Sequence, residues 1–86
     1  MRLPRDWGGE KLATLLRRYD YKVTRQTGSH MRLTTQQGGE HHVTIPRHSP
    51  LRLGTLNAIL KDVAQHLGLE RDELLMELMG RQSGQR

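Results

Sequence analysis

The chain has 86 residues, 34% of them hydrophobic, with no Phe, one Trp and two Tyr, and a formal charge of +5 from 14 Lys and Arg against 9 Asp and Glu. That length has room for one domain, read as residues 1–79 followed by a disordered tail over 80–86, and its core must rest on Leu, Val, Ile and Met. The absence of Cys excludes disulfides, thiolate nucleophiles and thiolate zinc sites. No apolar run is long enough for a signal-peptide core or a bilayer span, so the expected location is the cytoplasm.

The charge is uneven. Residues 1–61 carry eleven Lys or Arg against four acids, and residues 62–86 carry three against five. A clustered positive surface attracts phosphate backbones through counterion release, although a solvated basic surface accounts for the same numbers.

In chain order, Leu12, Leu15, Leu16 and Tyr19 fall on one face of a helix over residues 9–19, started at Gly8-Gly9 and ended by Asp20, a residue that tolerates the left-handed conformation. Tyr21, Val23 and Arg25 alternate with Lys22 and Thr24, which predicts a first strand running to Thr27-Gly28. A second strand follows, with Met31 and Leu33 alternating against His30, Arg32 and Thr34, and it ends at Gln36-Gln37-Gly38-Gly39. Val43 and Ile45 define a third strand closed by Pro46. A three-residue loop, Gly38-Gly39-Glu40, sets Thr35 opposite Val43 and Leu33 opposite Ile45, and extended further it brings His30 near His48.

Leu53 to His66 reads as a second long helix with Leu56, Ile59, Leu60, Val63 and Leu67 as its apolar stripe and Gly68 as its stop. Residues 70–79 form a third helix, with Leu74, Leu75, Leu78 and Met79 apolar and acidic residues in the first turn, where they complement the helix dipole. The whole is an α+β domain of order α-β-β-β-α with a three-stranded antiparallel sheet and an added C-terminal helix. This is the order used by double-stranded-RNA-binding domains, but topology alone does not establish a function.

Three blocks are more specific: Gly28-Ser29-His30 at the start of the second strand, Val43-Thr44-Ile45-Pro46-Arg47-His48 at the exit of the third, and Leu53-Gly54-Thr55-Leu56 with Ile59-Leu60 opening the second long helix. In this order and spacing, over roughly residues 9–69, the chain resembles the HicA (YcfA-like) toxin family. The resemblance implies a metal-independent endoribonuclease of the mRNA interferase class, without cofactor, that cuts mRNA and is covered by a HicB-type antitoxin in a hetero-oligomer. It also implies that His30 is the catalytic histidine. Asp20 stands where the family usually has Gly, and Met31 and Leu33 replace its usual aromatic residues. Gly28-Ser29-His30-Met31 also matches an affinity-tag scar, but it is internal and runs into a strand whose alternation includes Met31.

Cleavage of RNA by its own 2′-hydroxyl needs a group that takes or gives a proton near neutrality, and an imidazole suits that task. His48 is a candidate second acid or base, or else a phosphate contact, and Arg32 is a candidate RNA contact that neutralises the transition state, or else a solvated arginine. Gly28, Ser29, Lys11, Arg17, Arg18, Arg47 and Lys61 are candidate RNA contacts, as are Lys22 and Arg52, each with a solvated surface as the plain alternative. His41 and His42, with His48 nearby, suggest a metal site, but as strand neighbours they point to opposite faces and no carboxylate or thiol completes the set. His66 fits a helix C-terminus without any function. Two other functions stay open: a non-catalytic RNA-binding module in which His30 only hydrogen-bonds RNA, and a basic domain that binds an acidic protein.

Overall fold

The computed structural model describes residues 2–80; the tail read as disordered lies outside the described residues except for Gly80. The elements run α1 (Gly9–Leu16), a 3-10 turn (Arg17–Tyr19), β1 (Lys22–Thr27), β2 (His30–Thr35), β3 (His41–Pro46), α2 (Leu53–Leu67) and α3 (Arg71–Leu78). This is the predicted α+β order, with one antiparallel sheet in the order β1-β2-β3.

The period-2 pattern of β2 and β3 divides the sheet into two faces. Met31, Leu33, Thr35, Val43 and Ile45 are buried beneath the helices, while His30, Arg32, His42 and Thr44 are exposed on the open face. α1 contributes Leu12, Ala13 and Leu16 to the core, and α2 contributes Leu56, Ile59, Leu60, Val63 and Ala64. Asp20 adopts the left-handed conformation at φ 65°, as the helix-stop reading requires. Gly68 ends α2 in the same way at φ 73°. Gly9 permits a close approach of α1 to the end of β3, since a Cβ there would overlap the Pro46 carbonyl oxygen, and its N–H donates to the His48 carbonyl at 2.8 Å.

α3 closes the core with Leu74, Leu75 and Leu78 buried, so its apolar face is consumed internally; Met79, counted with that face in the sequence, is instead 41% exposed. The Glu73 carboxylate accepts the Glu70 N–H at 3.0 Å and so secures the first turn. At the other end Arg18 donates to the Glu77 carbonyl at 2.6 Å, and Tyr19 donates its hydroxyl to the Glu77 carboxylate.

Two further expectations change. The β2–β3 register is two residues away from the predicted one: Thr35 pairs with His41, Leu33 with Val43, Met31 with Ile45 and His30 with Pro46. The connection spans five residues, with Gly38 and Gly39 at positive φ and Gly39 N–H donating to the Gln36 carbonyl. Thr35, buried and tied to the Tyr19 carbonyl and the Gln37 N–H, fixes the end of β2. A shift of two keeps side-chain parity, so the buried set is the same, but Pro46 and not His48 lies opposite His30. In β1, Val23 pairs with Leu33 and Arg25 with Arg32, leaving Thr24 as an extra, bulged residue. Arg25 therefore leaves the face of Tyr21 and Val23 and joins the open face.

Candidate active site

Gly28 and Ser29 form the two-residue connection between Thr27 and His30, which pair across the hairpin. Arg47, just past the end of β3, braces this turn: its N–H donates to the Ser29 carbonyl at 2.7 Å, and its guanidinium reaches the Gly28 carbonyl at 3.3 Å and the Glu10 carboxylate at 2.7 Å. A Cβ added at Gly28 would meet nothing within 4 Å, so the outer side of the turn is open to a ligand.

His30 is exposed, and its Nδ1 lies 3.1 Å from Ser29 Oγ. Its Nε2 makes no hydrogen bond among the described residues. Around it, a shallow depression of about 210 Å³ is lined by Arg25, Thr27, His30, Arg32 and Thr44. Arg32 and His30 are thus brought together, as their shared face predicts. Arg25 joins them only through the bulge.

His48 lines a different depression, at the N-terminus of α1, with Asp6, Gly8, Lys11 and Arg47 among its neighbours. Lys11 sits 5.7 Å from the Trp7 ring centroid, a cation–π distance. Arg17 and Lys22 line a third and larger groove of about 540 Å³ between α1 and β1, where Ala13, Val23 and Met31 supply apolar wall. Arg18 is held against α3 as described, Lys61 is exposed along α2, and Arg52 is exposed at its start.

The remaining histidines are engaged on both ring nitrogens or in stacking. His41 Nε2–H donates to Asp62 at 3.1 Å, its Nδ1 lies 2.7 Å from the Tyr21 hydroxyl, and its ring stacks on His66 at 4.4 Å. His66 in turn donates to the Gln37 carbonyl at 2.9 Å. His42 bridges Glu40 at 2.9 Å and the Thr34 hydroxyl at 2.8 Å. Burial, and then the Asp62 charge, push the Tyr21 phenol up to about 12; burial, and then its bond to Glu77, push Tyr19 up as well. Among the described residues no group of three His, Asp or Glu is arranged to hold a metal ion, and no helix is long and apolar enough to cross a membrane.

The family model described as the HicA toxin of bacterial toxin-antitoxin systems matches residues 9–64. The chain belongs to the HicA toxin family. No curated protein and no solved structure matches it. The segment matched to the HicA family runs from the first residue of α1 into the last turns of α2 and contains the whole Gly28-Ser29-His30 hairpin. α3 lies beyond it, although three of its leucines complete the core of this HicA-family chain. Membership implies an antitoxin partner.

Sequence reasoning missed Arg25, because nothing in Val23-Thr24-Arg25 marks a bulge, and it missed the bracing role of Arg47. The His41–His66 stack was also missed. It joins residues 25 positions apart, and only the structure places α2 against the start of β3.

Proposed function

We propose that this HicA-family chain is an endoribonuclease that cleaves mRNA without a metal ion, with His30 as the proton-transferring residue and a HicB-type antitoxin as its partner. The observation that carries this reading is the His30 ring itself: exposed on a basic face, tethered at Nδ1 by Ser29, with Nε2 unengaged among the described residues. When Nδ1–H donates to Ser29 Oγ, the Nε2 lone pair is available as a base. It takes the proton of a ribose 2′-hydroxyl, the 2′ oxygen forms a bond to phosphorus, and the bond from phosphorus to the 5′ oxygen breaks. The 5′ oxygen leaves with a proton from solvent, giving a 2′,3′-cyclic phosphate and a 5′-hydroxyl end. Imidazole performs this proton transfer unaided, so the reaction needs no Lewis acid.

Arg32 offsets the charge that builds on the phosphate. Gly28 and Ser29 let the RNA backbone approach the turn closely. His48, Lys11, Arg17 and Arg47 line neighbouring grooves and serve as backbone contacts, with Arg18 and Lys61 as more distant ones. The α-β-β-β-α order supports a double-stranded-RNA-binding-like fold put to catalytic use.

Expression of the chain in a bacterial host tests the reading. Growth arrest relieved by co-expression of an antitoxin encoded next to it, with cyclic-phosphate ends appearing in cellular mRNA, is the expected result. Arrest with intact mRNA would sink the ribonuclease reading, and purified protein that cuts RNA only when a chelator is left out would sink its metal independence.

A further inference from the structure

We infer that Arg25 and Arg32 form a two-guanidinium seat for a phosphodiester, built by the β1 bulge beside His30. The two residues are direct cross-strand partners on the open face. Like charges in that position destabilise a sheet, and neither guanidinium has a hydrogen bond or ion pair among the described residues. Regular alternation along β1 would have sent Arg25 to the closed face with Tyr21 and Val23. The bulge prevents this, and Thr24 holds the bulge through bonds to the Thr34 hydroxyl at 2.8 Å and the Arg32 carbonyl at 3.3 Å.

The sheet therefore spends an irregularity and two side-chain hydrogen bonds to place one unpaired cation against another. An anion between them converts that repulsion into attraction. Planar guanidinium groups match the two non-bridging oxygens of a phosphodiester, and Thr27 and Thr44 in the same depression add hydroxyl donors. Because His30 lines that depression, a phosphate seated there lies beside the imidazole, which makes Arg25 a further residue of the site. That the anion is an RNA phosphodiester rests on the ribonuclease reading; the anion seat itself does not.

Inorganic phosphate and a 2′-O-methyl RNA that cannot be cleaved are the probes. At matched ionic strength, phosphate should raise the melting temperature of the wild type more than chloride does, and Arg25→Gln should lose that rise while keeping its circular dichroism. Affinity for the methylated RNA should fall about tenfold in Arg25→Gln, as for one charge-assisted bond. In phosphate-free buffer Arg25→Glu should melt above the wild type, since the like-charged pair becomes an opposite-charged one. A phosphate response retained by Arg25→Gln, or an Arg25→Glu that melts lower, overturns the seat. If the seat passes these tests and the wild type still cuts no RNA, the ribonuclease reading fails alone; if His30→Ala stops cleavage while Arg25→Gln keeps the phosphate response, the seat fails alone.

Discussion

His30 and His41 stand on opposite faces of the same small sheet and live under opposite conditions. On the closed face His41 is packed between Tyr21, Asp62 and the stacked ring of His66, with both nitrogens occupied. On the open face His30 has one tether, to Ser29, and basic neighbours without acidic partners among the described residues. A satisfied histidine contributes to the stability of the fold, whereas one with an unengaged nitrogen on a charged surface contributes little to folding and is available for chemistry. Mutation at His41 should therefore show in stability, and mutation at His30 in activity.

The largest expected effect breaks the closed face outright. Truncation after Gly68 removes Leu74, Leu75 and Leu78 from the core. The remaining chain should lose its cooperative thermal transition, and Leu74→Ala alone should cost about 2–5 kcal/mol in urea unfolding. A truncated chain that melts like the full one would show that α3 is not part of the core.

His41→Ala comes next. It leaves the buried Tyr21 hydroxyl without its partner and removes the stack on His66, so it should cost about 1–3 kcal/mol. Cleavage per folded molecule should be unchanged. Loss of cleavage at full stability would dissolve the distinction between the two faces.

Alkaline pH gives an effect confined to the closed face. Tyr21 titrates at about 12 in the folded chain against its ordinary 10.0, so between these values the unfolded chain has released a proton that the folded chain retains. Stability should decline as pH rises from about 10 towards 12, with Tyr19 pulling in the same direction, and should show no such decline below that window. Urea midpoints across this range should show the decline, and Tyr21→Phe should flatten part of it.

The smallest effect lies on the open face. Ser29→Ala removes the tether of the His30 ring and should slow cleavage about fivefold, the equivalent of one neutral hydrogen bond of about 1 kcal/mol, with no change in melting temperature. An unchanged rate would mean that the ring needs no positioning.

Much of this division is legible in the sequence. The alternation of Met31 and Leu33, and of Val43 and Ile45, fixes which side chains face the core, because only one parity buries all four. The same parity puts His30 and Arg32 together on the open face. Parity cannot distinguish registers two residues apart, and for that reason the expected approach of His48 to His30 gave way to Pro46 once the loop proved to have five residues. Bulges depend on how a strand meets its neighbour, so Arg25 carries no local sign of its place. His66, in contrast, fits a helix C-terminus in the sequence without any function, and its bond to Gln37 and its stack on His41 give it a structural one.

The most direct test is single-turnover cleavage of a defined transcript by wild type and His30→Ala in the presence of a chelator, with folding of each checked by circular dichroism and melting. His30 is exposed and leaves no cavity, so the variant should melt with the wild type while its cleavage rate falls on the order of a hundredfold to ten-thousandfold. A folded His30→Ala that cleaves at the wild-type rate would contradict the account and leave His30 as no more than an RNA contact.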